Sequence, residues 1–154
     1  MSNLIDLDNE NKIPVPIHEN DLQIYRKIKQ FSKVVYESIG SGLSEAIYHN
    51  GLECELRNNN IEYDTEFPIP IKHFNRVVGV CRGDILIDTK NIGINKRYIL
   101  ELKAIRSLKQ EHISQIKAYL RHMNMDIGFL VNFPYPEGNE CEIQIVHQKH
   151  GNIT

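Results

Sequence analysis

From Asp21 onward, apolar residues recur at intervals of three and four: Ile24, Ile28, Phe31, Val35 and Ile39. That spacing places them on one helix face, and Gly40-Ser41-Gly42 ends the run, because two glycines lower helix propensity and permit a turn. A second stripe, Glu45, Tyr48, Leu52 and Leu56, predicts a helix from about Leu43 to Asn58, closed by Asn58-Asn59-Asn60. Glu45 shares this stripe and is expected to point inward with it. The period then changes. Tyr63, Phe67, Ile69 and Ile71 stand among polar residues and prolines, as in an edge strand. The β-branched run from Val77 to Ile87 predicts a second strand, with Gly83 permitting close approach beside Asp84. A hairpin-type loop, Asp88 to Lys96, precedes a third strand from Arg97 to Ile105. There Tyr98, Leu100, Leu102 and Ala104 alternate with Ile99, Glu101 and Lys103. Ile113, Ile116, Leu120 and Met123 restore helical spacing over about Lys109 to Met123. The apolar run Ile127 to Asn132 suits a central strand, and Cys141 to His147 alternates as the last one.

Composition narrows the class. A chain of 154 residues, 41% hydrophobic and 25% charged, is long enough for one domain with a core and too short for two ordinary ones. Residues 1–20 read as an acidic arm, mobile or loosely docked, and residues 21–154 as a single domain. No apolar run approaches the ~18 residues of a membrane span, so no membrane partner is expected. The polar, acidic start does not fit a secretory signal. Cys54, Cys81 and Cys141 are odd in number and widely spaced, which argues against a disulfide scaffold or a zinc or iron–sulfur site. They fit a reducing compartment, and an intracellular location, cytoplasm or nucleus, is expected. The seven histidines show no His-x-x-x-His or Cys–His ligand spacing.

The formal net charge of −2 conceals a gradient. Residues 1–24 carry five acids against Lys12, whereas residues 96–121 carry seven basic residues against Glu101 and Glu111. A local basic stretch can contact phosphates, because exposed charges act over about 10 Å at moderate salt. It can equally be a solvated helix face.

Candidate chemistry lies on the third strand. Three acid-x-Lys triplets occur: Glu10-x-Lys12, Asp88-x-Lys90 and Glu101-x-Lys103. The first is in the polar arm and the second in a loop. Only the third sits on an apolar strand, where period two puts Glu101 and Lys103 on one face. Asp84 lies 17 positions upstream across a hairpin, and antiparallel pairing can bring the two carboxylates within roughly 5 Å. Close carboxylates raise each other's pKa unless a cation holds them ionised. Two acids with a lysine point to a hard divalent ion, Mg²⁺ or Mn²⁺, bound through oxygen. The same trio can be read as a surface salt bridge from Lys103 to either acid. Glu45, if buried, needs a cationic or hydrogen-bonding partner. Gln115 and Tyr119, four apart on the later helix, could offer an amide and a hydroxyl to the same spot.

Gly42-Leu43-Ser44-Glu45-Ala46-Ile47-Tyr48 resembles the signature of the GxxExxY family, which is grouped within the PD-(D/E)XK nuclease superfamily. The resemblance runs from about Ile24 to His147. It includes the Asp84 strand, Glu101-Leu102-Lys103, Gln115-x-x-x-Tyr119 and the strand ending Val131-Asn132-Phe133. The Gln-x-x-x-Tyr pattern is also similar to RecB-like and Cas4-like members. The resemblance implies an α/β fold with a restriction-endonuclease-like core, a central mixed β-sheet flanked by α-helices. It implies Asp84 as bridging metal ligand, Glu101 as the second, and Glu45 as a helix acid contacting the metal directly or through water. Lys103 would orient the attacking water and stabilise developing charge, and Gln115 and Tyr119 would position Lys103 or a phosphate. Gly83 stands where the family pattern has proline, and no Cas4-like cysteine cluster is present. The expected activity is metal-dependent hydrolysis of nucleic acid, DNA before RNA, with Arg106 and Lys109 holding flanking phosphates. The alternative is a catalytically weak or inactive module that binds nucleic acid or a protein partner. Exposed strand edges would also permit a homodimer.

Overall fold

Alternation along the third strand sets the architecture. The computed structural model describes residues 15–154, and in it β3 (Arg97–Lys103) is buried on both sides. Tyr98, Leu100 and Leu102 enter one apolar cluster and Ile99 enters another. A strand with two apolar faces needs cover on each, and three helices supply it. The first cluster receives Ile24, Ile28 and Val35 of α1 (Glu19–Ile39) and Tyr48, Leu52 and Leu56 of α2 (Glu45–Asn58). The second receives Ile116 and Leu120 of α3 (Gln110–His122). Each such fully buried side chain contributes about 1.5–3 kcal/mol relative to exposure. The outcome is a mixed α/β fold with a six-stranded sheet between helices.

The sheet follows chain order: β1 (Glu62–His73), β2 (Arg76–Asp88), β3, β4 (Ile127–Asn132), β5 (Glu142–His147) and β6 (Gly151–Asn152). β3 and β4 are parallel, joined through α3, and the other four neighbouring pairs are antiparallel. β1 lies at the edge and β4 in the interior, as their sequences anticipate. The prolines Pro68 and Pro70 are tolerated at that edge because proline cannot donate to a ladder.

Several boundaries differ from the periodicity. α2 begins at Glu45, not Leu43, because Ser44 is extended (φ −73°, ψ 155°) and its carbonyl accepts from Ile47 and Tyr48. β3 ends at Lys103, not Ile105. The buried Asn132 amide takes over there, accepting from Ile105 N (3.0 Å) and donating to Ile105 O (2.9 Å). Lys90–Ile92 forms a 3-10 turn inside the expected loop, and β6 was not anticipated. Of the acidic arm expected over residues 1–20, residues 1–14 lie outside the described residues, while Glu19 and Asn20 already belong to α1.

α1 is tied to the start of β3 by a buried acid. Asp21, 2% exposed, accepts from Tyr98 Oη at 2.6 Å and from Lys96 Nζ at 2.9 Å. Lys96 therefore belongs to the fold, and the basic stretch of residues 96–121 is not one continuous surface. Among the described residues no helix is long and apolar enough to cross a membrane.

Candidate functional site

β2 and β3 pair from Asp88↔Arg97 to Ile85↔Leu100, and the next positions in that register are Asp84 and Glu101. Here the strands stop exchanging ordinary ladder bonds and use their carboxylates instead. Asp84 N donates to Glu101 Oε1 at 2.8 Å, and Leu102 N donates to Asp84 Oδ2 at 2.8 Å. Each acid is thus oriented by the other strand's backbone, and each keeps a second oxygen outside these two bonds.

The chain is shaped to permit this. Opposite Asp84 on β1, Glu66 adopts a left-handed conformation (φ 46°), which kinks the strand between the pairs Thr65↔Ile85 and Phe67↔Gly83. Gly83 lies under the Phe67 ring: a Cβ there would sit 2.2 Å from Phe67 Cζ. Only glycine fits beside Asp84 without displacing that ring, as the sequence anticipated.

Burial and charge define the electrostatics. Glu101 is 3% exposed. Burial, then the Asp84 carboxylate with which it can share a proton, push its carboxyl up to about 8; the Asp84 N–H and Lys103 offset only part of this. Lys103 Nζ donates to Gln115 Oε1 at 3.2 Å. The Tyr119 hydroxyl is pushed up, first by burial and then by Glu101, Cys81 and Asp84, while a hydrogen bond with Gln115 works the other way. Asp84, Glu101, Lys103, Gln115 and Tyr119 therefore meet at one end of β3.

Glu45 requires a correction. It does not point into the core with Tyr48, Leu52 and Leu56; it is exposed. As the first residue of α2 its side chain leans past the helix N-terminus toward the sheet end, because helical Cβ atoms tilt that way. It still senses the site: desolvation first and Asp84 second push its carboxyl upward, against the pull of Lys103 and His49. The motif around it acts as a brace. Tyr48 is fully buried, stacks on Phe133 with ring centroids 4.5 Å apart, donates to Gly40 O (2.8 Å) and accepts from Leu43 N (3.3 Å). That fixes the loop that launches α2, with Gly40 and Gly42 at positive φ, and so aims Glu45.

Arg106 and Lys109 are exposed on the segment that leaves β3 and enters α3, outside the carboxylate cluster. Sequence reasoning gave Asn132 no role of its own. Besides gripping Ile105, its Nδ2 donates to Glu142 Oε1 at 3.0 Å, so it sets the path of the chain between Lys103 and Arg106. Its signal was an amide closing an otherwise apolar central strand, a group that burial obliges to find partners.

The donor set suits a hard divalent cation. Two oxygen-bearing acids, one of them with its carboxyl pushed upward first by burial and then by the other acid, need positive charge to ionise together. Among the described residues, however, no three His, Cys, Asp or Glu side chains gather as a ligand cluster. The pair Asp84 and Glu101, without Glu45, carries the fit.

A solved structure described as "Crystal structure of SSO0001" is 24% identical with a TM-score of 0.49, covering 67% of this chain. The alignment spans 49% of that longer chain. No curated protein matches. The profile of the PD-(D/E)XK nuclease superfamily matches residues 22–144, a span that takes in most of α1, all of α2 and α3, β1 to β4 and every residue of the cluster. By its sequence over those residues, and with the sheet and flanking helices to accompany it, the chain belongs to the PD-(D/E)XK nuclease superfamily.

Proposed function

We propose that this chain is a metal-dependent nuclease of the GxxExxY kind, with a RecB- and Cas4-like site pattern, hydrolysing phosphodiester bonds of nucleic acid, DNA in the first place. The observation that carries the reading is the interlocked pair Asp84 and Glu101 with Lys103 two residues further along the same strand. Mg²⁺ or Mn²⁺, when bound, supplies an acidified water and withdraws charge from a phosphate oxygen. Asp84 and Glu101 would hold the ion through the oxygens that the backbone leaves unengaged. Lys103, held by Gln115, presents its ammonium group to the negative charge that develops on the phosphate, and its preorientation avoids reorganisation during reaction. Tyr119 offers a hydroxyl beside the same carboxylates. Glu45 acts from the rim, through water or through its charge. Arg106 and Lys109 draw flanking phosphates. Cys54, Cys81 and Cys141 are all free thiols, which supports action in a reducing, intracellular compartment.

The test is incubation of purified protein with linear, circular, branched and single-stranded DNA and with RNA, in Mg²⁺, Mn²⁺ or EDTA. Cleavage that needs the metal and falls at least about 100-fold in both Asp84→Asn and Lys103→Ala is expected. Equal cutting by wild type and variants would identify a contaminant and overturn the reading. That no three-acid cluster forms among the described residues favours one second reading, a binding module with little or no turnover. Metal-independent binding without cleavage would select it.

A further inference from the structure

The β1–β2 hairpin extends well past the rest of the sheet. Arg76 to Gly83 pair with β1, whereas β3 pairs only with Ile85 to Asp88 of β2. This overhang exposes apolar surface that folding does not use: Phe74 is 88% exposed, Val78 64% and Val80 59%. Its tip is also locally unfavourable. Phe74 and Asn75 form a two-residue turn with φ 48° and 61°, a geometry that favours asparagine or glycine and disfavours a bulky aromatic. The ring gains little in return, touching His73 at a centroid distance of 4.4 Å. From Phe67 to Gly83 the chain carries Lys72, Arg76 and Arg82 and no acid. A projecting aromatic, flanked by cations on a strip free of negative charge, complements a polyanion whose units have flat apolar faces.

Building on the nuclease reading, we propose that this hairpin is a second nucleic-acid contact, in which Phe74 stacks on or between bases while Lys72, Arg76 and Arg82 engage phosphates. The strand that carries Asp84 also carries the hairpin, so one bound strand can run along both. From Asn75 to Asp84 is nine residues, at most about 30 Å, or roughly nine stacked nucleotides. The hairpin therefore grips substrate about that far from the scissile bond. The exposed valines border this path and shield the stacked base from water.

The test uses the full chain, with fluorescence anisotropy of labelled DNA and RNA, single-stranded and duplex, in EDTA. Phe74→Asn is expected to hold or raise the melting temperature, because asparagine tolerates positive φ, yet to weaken binding at least about fivefold. Lys72→Ala with Arg76→Ala is expected to lower the log–log salt slope by about 2 on duplex DNA. Loss of affinity in a variant at least as stable as wild type cannot arise from unfolding. If wild type binds and cuts while every hairpin variant matches it, the hairpin proposal falls and the nuclease reading stands. If wild type binds without cutting but the variants lose affinity, the hairpin proposal stands and the nuclease reading falls. If wild type neither binds nor cuts, both fall. If sedimentation shows a dimer that Val78→Lys dissociates, with nucleic-acid affinity untouched in the hairpin variants, the strip belongs to a second copy and the proposal is overturned.

Discussion

Glu101 holds a carboxyl where burial and a neighbouring acid oppose its charge, and this makes stability depend on pH in a definite sense. Its folded pKa, pushed up to about 8, lies above the usual value of 4.5. Between those values the folded protein binds a proton that the unfolded chain has released, so this contribution is complete below about 4.5 and is lost as pH rises through about 8, by several kcal/mol at most. In EDTA, the melting temperature should therefore fall between pH 5 and pH 8.5. Glu101→Gln, which keeps an oxygen for Asp84 N, should lack this component, exceed wild type at the alkaline end and be inactive. Mg²⁺ should restore the wild type there and leave the variant unmoved. Parallel melting profiles would refute the assignment. At this scale, Asp84, Glu101 and Lys103 were legible because alternation and a short hairpin suffice to juxtapose them. Glu45 was misread because a helical stripe does not say where the first turn begins. Phe74 gave no signal of its own, since a bulky aromatic is not a residue by which such turns are found.

Elements were read best where they bury a full stripe. α1, α3 and β4 emerged close to their true bounds because each satisfies one period over several turns or over a whole apolar run. The two-residue β6 and the three-residue turn at Lys90 are too short for any period to mark. The kink in β1 was also invisible, since Glu66 is not a residue that announces positive φ, although its effect is large: it lets Phe67 and Ile69 join the α3 side of the sheet while Tyr63 packs toward α1 and α2. Gly83 couples that kink to the site. Gly83→Ala should force the Phe67 ring aside and cost about 1–3 kcal/mol, with lost activity through a displaced Asp84. Adding Phe67→Leu, which removes the obstructing ring edge, should recover part of both in denaturant melts and cleavage assays. If the double variant is worse than Gly83→Ala alone in both, the crowding argument is wrong.

For the molecule as a whole, the two ends of β3 divide the labour. Lys103 and Glu101 serve the carboxylate end, while Tyr98, with Lys96 beside it, is bound to Asp21 at the other, five residues or about 17 Å from Lys103. Asp21→Asn removes the charge that both donors share and should destabilise by about 1–3 kcal/mol, seen as a lower urea midpoint. Cleavage per folded molecule, measured at low temperature, should not change; a matching loss of turnover would mean that α1 and the site are more closely linked than the distance implies.

The order of the sheet has a consequence for how the protein reaches its native state. Every strand lies beside its immediate predecessor in the chain, so nearly all pairing can proceed by short-range zippering, and just one step, docking β4 alongside β3 after α3, demands a longer closure. Such a topology lowers contact order and favours rapid, cooperative assembly. Residues 84 to 119, which supply all five clustered side chains, would be gathered largely before that last docking event, leaving the completed β4 to lock the groups into register.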